Sequence, residues 1–216
     1  MKKPGLIAIT IILTSLFVTS PGYAQLQIVI TQGVDDPVQI AIVPFEWNGF
    51  GLLEEDVAEI VKTNLQNSGE FRAIAEANML STPHEEQEVF FRDWRFLGAD
   101  YLLIGKVVDN GAGGPLQVQY DFFDILREDN LISEVVSAGR NQLRDVSHAI
   151  SDKVFEEVTG VRGAFSTKIL YVTSQRINAD LTYYQLNMSD ADGGRSQVLL
   201  NSQEPIMSPN WSPDGQ

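Results

Sequence analysis

The fold the sequence predicts is α/β, a mixed sheet with packed helices, followed by the truncated start of an all-β domain. Three observations lead there. Between Val38 and Val158, β-type runs and amphipathic helical stripes follow in the order strand, helix, strand, helix, three strands, helix, an order that argues for helices packed on a mixed sheet. After Gly163 the helical period disappears and only strand-like runs remain. The chain then reaches Pro209-Asn210-Trp211-Ser212-Pro213-Asp214-Gly215. In that stretch Pro213 pre-sets φ at the first central turn position and Gly215 tolerates positive φ, while Trp211 can wedge a large ring between neighbouring sheets. A tryptophan and turn of this kind, repeated about every 40 residues, marks the blades of a β-propeller. It occurs once here, so an ordinary hairpin turn is the competing reading.

Residues 1–24 read as an export signal. Lys2 and Lys3 form a basic start, Leu6 to Val18 is an apolar run, Pro21 and Gly22 break it, and Gly22-Tyr23-Ala24 offers small residues for cleavage. The run is too short to span a bilayer comfortably. The chain has no cysteine, so it carries no lipid-modified N-terminal cysteine, no disulfide framework and no thiolate chemistry. The expectation is a soluble periplasmic chain beginning near Gln25, with no membrane insertion after signal cleavage. Acidic residues number 29 against 15 basic, a net charge of −14. Such a surface repels phosphate backbones and excludes nucleic acid as a partner.

In chain order, Gln25 to Thr31 alternates with Leu26, Ile28 and Ile30 on one face, as a strand does. Val38 to Phe45 is β-rich and ends in a loop from Trp47 to Gly51. A helix follows with Glu54, Glu55 and Asp56 in its first turn, where acids complement the macrodipole. Leu53, Val57, Ile60, Val61 and Leu65 form its buried stripe, and Gly69 stops it. Phe71 to Ala75 is a short strand. Glu85 to Leu97 reads as a second helix, with Phe90, Phe91, Trp94 and Leu97 inward. Strands are expected at Tyr101 to Val108, Leu116 to Ile125 and Leu131 to Ala138, then a helix from Gln142 to Val158 closed by Gly160. Thr167 to Ser174, Leu181 to Ser189 and Gln197 to Leu200 supply the later strands. The expected division is 1–24 signal, 25–163 α/β domain and 164–216 incomplete all-β domain.

No catalytic constellation rises above background. His84 and His148, the only histidines, lie on different elements and read as solvated or satisfied side chains. Gly111 to Gly114 lacks the lysine and helix of a phosphate loop. Asp190-Ala191-Asp192-Gly193 echoes a calcium loop but lacks its later acidic ligands, so it reads as a turn. The expectation is no enzyme, no cofactor and no metal.

The functional candidate is the segment Gln25, Leu26, Gln27, Ile28, Val29, Ile30 and Thr31. An alternating strand at a free terminus can add to the edge of a partner's sheet or lie back on its own domain. Burial of its aliphatic side chains contributes about 1.5–3 kcal/mol each, against about 1–2 kcal/mol of backbone entropy for each residue ordered. The balance is close, which suits displaceable docking. An ordinary first strand of the domain is the equal alternative.

Several collinear motifs carry a resemblance. They are Gln27-Ile28-Val29-Ile30, Gly33-Val34-Asp35, Val43-Pro44-Phe45-Glu46-Trp47, Asn67-Ser68-Gly69-Glu70-Phe71, Ser151-Asp152-Lys153-Val154-Phe155-Glu156, Thr159-Gly160-Val161-Arg162-Gly163-Ala164-Phe165, and the stretch from Pro205 to Gly215. Together they resemble the TolB family of the periplasmic Tol-Pal system across the whole chain after residue 24. The resemblance implies an N-terminal α/β domain followed by a six-bladed propeller. It also implies a protein-binding scaffold that links TolA to Pal, with roles in outer-membrane integrity, cell division and protein import. By the same resemblance, Gln25 to Thr31 engages TolA, and Pal binds propeller residues beyond Gln216. Family members often open this segment with an acidic residue and carry a basic one later; here Gln25 and Gln27 are neutral. The competing class is a propeller-containing fragment of an exported serine peptidase, which requires a downstream Gly-x-Ser-x-Gly nucleophile.

Overall fold

The computed structural model describes residues 36–111, 114–178 and 181–212. A six-stranded sheet has the order β3-β1-β4-β5-β6, with β2 also on β4. The strands are β1 (Val38–Ile42), β2 (Glu46–Asn48), β3 (Phe71–Ala73), β4 (Tyr101–Asp109), β5 (Leu116–Asp124) and β6 (Asp129–Ala138). β1 runs parallel to β3 and β4, whereas β4, β5 and β6 form an antiparallel meander. A parallel neighbour requires a crossover, and α1 (Val57–Asn67) supplies it between β1 and β3.

β1 and β2 behave as one interrupted strand along β4. Ile42 pairs with Leu103, Pro44 breaks the ladder, and pairing resumes as Glu46 meets Lys106 and Trp47 meets Val107. The proline and glycines around Trp47 made this region read as loop, and β2 was hidden for that reason. Gly105 is needed here: a Cβ on it would sit 2.5 Å from the Phe45 ring.

Side-chain alternation divides β4 between two cores. Leu103 and Val107 pack with Tyr120, Phe122 and the inward faces of α1 and α3 (Leu143–Thr159). Leu102 and Ile104 face the other way, toward Val89, Trp94 and Phe123. Asp56 caps α1 by accepting from the Glu59 amide at 3.1 Å. That places Glu54 and Glu55 before the helix rather than in its first turn.

The expected single helix over Glu85 to Leu97 is two pieces. A capping box between Glu85 and Glu88 closes a 3-10 turn, and Val89 and Phe90 then run extended before α2 (Phe91–Phe96). This resets the helical phase. Val89 and Trp94 are buried, Phe91 packs edge-on against Phe123 at 5.8 Å, and Phe90 turns outward.

Beyond α3 the architecture changes to a three-stranded antiparallel sheet of β7 (Lys168–Arg176), β8 (Thr182–Asp190) and β9 (Gln197–Ser202). Gly160 ends α3 in the left-handed region at φ 71°, as its position in the sequence predicts. The result is a mixed α/β region followed by propeller-type strands.

Candidate functional site

The terminal segment Gln25, Leu26, Gln27, Ile28, Val29, Ile30 and Thr31 lies outside the described residues. What the structure does bring together is a polar cluster where α3 meets the end of β8. Most polar members of α3 in this cluster lie within its inward stripe: Arg144, Ser147, His148 and Ser151 are interleaved with buried Leu143, Val146, Ile150 and Val154, and Asp145 stands at the exposed edge.

Asp190 is the hub, and its side chain is almost fully buried. Arg144 donates to it through Nε at 3.1 Å, Arg195 through Nε at 2.7 Å, and Lys168 pairs with its other oxygen. Burial alone would raise the Asp190 carboxyl, but hydrogen bonds from Arg195 and Lys168 outweigh it and hold the group well below the usual carboxylate range. Asp192, two residues on, is pushed up by burial and brought down further by Arg144 and the Gly194 amide. Arg144 also reaches Glu55 ahead of α1 at 3.3 Å, and Arg195 pairs with Asp145. The cluster therefore ties α3, the residues before α1, and the β8–β9 turn to one another.

Beneath it, Asn64 donates through Nδ2 to His148 Nδ1 and to Ser151 Oγ, each at 2.9 Å. With Nδ1 accepting, the ring proton sits on Nε2. That atom faces Asp190 and Asp192 at 3.6 and 4.0 Å, beyond hydrogen-bond length. His148, Asp190 and Asp192 each present a ligand atom within 4.8 Å of the others, a spacing a metal could use. Arg144 already bridges the two carboxylates, however, and Lys168 and Arg195 also neutralise Asp190. We read the cluster as an ion-pair joint.

The connecting segment is held as firmly. Asp152 on α3 accepts from the amides of Phe165 and Ser166 at 2.7 and 3.2 Å. Gly163 passes so close that a Cβ would lie 2.5 Å from the Asp152 Cα. Phe165 packs edge-on against Phe155 at 5.7 Å, which continues to Phe71 at 6.1 Å. Beside this segment lies a cleft of about 360 Å³ lined by Asn64, Ser68, Phe155, Arg162, Phe165 and Asp192.

Sequence reasoning read Asp190-Ala191-Asp192-Gly193 as a turn, and it is one: Gly193 donates to the Asp190 carbonyl at 2.9 Å. It missed that both carboxylates face α3. The available signal was the run of serines and a histidine inside an apolar helical stripe, since a polar group there needs a partner. His148 is satisfied at Nδ1 and buried. His84 lies elsewhere, its backbone amide donating to Glu88.

An α/β layer tied by ion pairs on Asp190 and Asp192 to a three-stranded antiparallel sheet makes a protein of two parts, an α/β region continuing into all-β structure. Residues 26–131 match the TolB amino-terminal domain and residues 155–216 match the TolB beta propeller domain. The Tol-Pal system protein TolB of Pseudomonas fluorescens SBW25 is 47% identical over 87% of this chain and 43% of its own length. TolB of Pseudomonas aeruginosa PAO1 gives the same values. The crystal structure of TolB from Acinetobacter baumannii has a TM-score of 0.72 at 29% identity, covering 86% of this chain and 44% of that one. The chain belongs to the TolB family. It spans about two fifths of the length of the curated relatives it matches.

Proposed function

We propose that this chain is part of a periplasmic protein-binding scaffold of the Tol-Pal system, which links TolA to Pal and supports outer-membrane integrity and cell division. Export follows cleavage after Ala24, the α/β domain covers 25–163, and the propeller begins at 164. TolA binds through Gln25, Leu26, Gln27, Ile28, Val29, Ile30 and Thr31. Pal binds propeller blades that follow Gln216 in whole members of the family.

The observation that carries this reading is the collinear pair of family matches over 26–131 and 155–216. The alternating apolar residues Leu26, Ile28 and Ile30 suit strand addition to a partner's sheet edge, where main-chain bonds supply affinity and alternate side chains supply specificity. The strongly acidic surface suits a protein partner rather than a nucleic acid.

Calorimetric titration of the TolA C-terminal domain tests it, using one chain that starts at Gln25 and another that starts at Thr31. Saturable heat with the longer chain alone is the expected result. Equal binding by both places the site elsewhere, and no binding by either contradicts a TolA site in this part of the molecule.

A further inference from the structure

The loop between β2 and α1 holds two large apolar side chains in water. Phe50 is 92% exposed and Leu52 is 91% exposed. Single exposed apolar residues need no explanation, but these two sit on a loop that is braced in place. The Trp47 indole donates through Nε1 to the Gly51 carbonyl at 2.8 Å, and Arg140 donates to the Phe50 carbonyl at 3.3 Å. Arg140 is itself fixed by Asp109 and lies 5.3 Å above the Trp47 ring. Gly51 takes a φ of +78°, and a Cβ on Gly49 would lie 2.3 Å from the Trp47 ring, so the loop path depends on both glycines.

Directly beneath the tip is a cleft of about 260 Å³ with apolar walls from Phe45, Trp47, Leu52, Leu53 and Val107. Its rim carries three consecutive carboxylates: Glu54 is exposed, Glu55 lines the cleft with Arg144 at 3.3 Å on one side, and Asp56 lines it while capping α1 through one oxygen, in a chain of net charge −14. Knobs, cleft and carboxylates thus share one surface, and its backbone is ordered before any partner arrives. Ordering in advance lowers the entropic cost of docking.

We infer that the Phe50–Leu52 tip and the cleft beneath it form a second protein-docking surface, for a partner segment that pairs an apolar anchor with lysine or arginine. The anchor enters the cleft, its basic neighbours face Glu54, Glu55 and Asp56, and Phe50 and Leu52 close over it. The acidic rim selects against a carboxylate-bearing segment and against an anionic lipid surface. This surface uses none of the residues from Gln25 to Thr31, so it stands or falls separately from the TolA site.

The test is a fluorescence-anisotropy titration of the full chain with a short peptide carrying one phenylalanine flanked by lysines, and with its counterpart carrying glutamates. In parallel, the 15N-labelled indole resonance of Trp47 is followed. Saturable binding of the lysine peptide with movement of the Trp47 resonance is expected. In the double variant Phe50→Ser, Leu52→Ser, which leaves the charge unchanged, affinity falls at least about tenfold. Circular dichroism verifies that the variant is folded. Equal binding by the double variant, equal binding of the glutamate peptide, or a stationary Trp47 resonance would overturn the proposal. So would concentration-dependent dimerisation lost in the double variant, or binding to anionic vesicles in place of the peptide, since each assigns the surface to a different occupant.

Discussion

The six-stranded and three-stranded sheets are held by different physics. Around β4 and β5, Leu103, Leu102, Ile104, Phe122 and Phe123 are fully buried, and helices or extended chain cover both faces. In this chain, which spans about two fifths of the length of its relatives, the buried residues among those described in β7, β8 and β9 are Asn187, Ser189 and Asp190, while Val198, Leu199 and Leu200 are about half exposed. The first region is stabilised by apolar burial, which is non-directional and tolerant of small shifts. The second is positioned by directional contacts to α3, in which one missing partner leaves a charge stranded. The joint positions β7, β8 and β9 against α3, while apolar burial around β4 and β5 holds the α/β layer together.

Removing core packing should have the largest effect. Phe122, stacked on Tyr101 at 5.3 Å, is fully buried, and Phe122→Ala should destabilise the whole α/β region by about 3–5 kcal/mol in a denaturant titration. If the loss were confined to β7–β9, the division between the two regions would be wrong.

Asp190→Ala takes one of three carboxylate partners from Arg144, which keeps Asp192 and Glu55, and lets the part-exposed Lys168 and Arg195 relax into water. The expected cost is about 2–3 kcal/mol, less than for a fully enclosed pair. It should appear as faster tryptic cleavage after Arg162 and after Lys168 with the α/β core intact.

Acid should mimic that substitution. Asp190 and Asp192 are pushed up by burial but held below their ordinary value overall by their cationic partners, and Asp145 is lowered by Arg195. Groups with depressed folded-state values supply stability that is complete above the unfolded value, about 3.9 for Asp, and lost as pH falls through the folded value. Protection of the amides of residues 162–167 from hydrogen exchange, corrected for the intrinsic pH dependence of the exchange rate, should therefore persist down to about pH 4 and fall below it. Loosening that begins near neutrality would point to a different group.

The smallest effect is expected on the open face of β9. Leu199→Lys should change stability by less than about 0.5 kcal/mol, measured by thermal unfolding, because that side chain is already about half in water.

Much of the α/β layer was legible because it obeys local rules. α3 announces itself by its apolar stripe and by Gly160, and β4 and β5 by dense β-branched and aromatic residues. Periodicity places Phe90 inward because it assumes an unbroken helix, whereas a capping box at Glu85 and Glu88 resets the phase. β2 was lost to the proline and glycines that flank it. Of the joint, the sequence shows only that Ser147, His148 and Ser151 interrupt an apolar stripe and need partners, not which partners they and Arg144 meet. Arg144 and Asp190 are 46 positions apart, and neither periodicity nor turn chemistry records which polar groups meet across such a separation. The loop from Trp47 to Gly51 reads as a plain connection for a similar reason: its bracing by Arg140 comes from 90 residues beyond Phe50.

Hydrogen–deuterium exchange on the wild-type chain and on Asp190→Ala tests the distinction between core and joint most directly. The account predicts that amides of β7, β8 and β9 and of the segment 162–167 exchange faster in the variant, while those of β4 and β5 keep their protection. Equal loss of protection in both sheets, or no change in either, would contradict it.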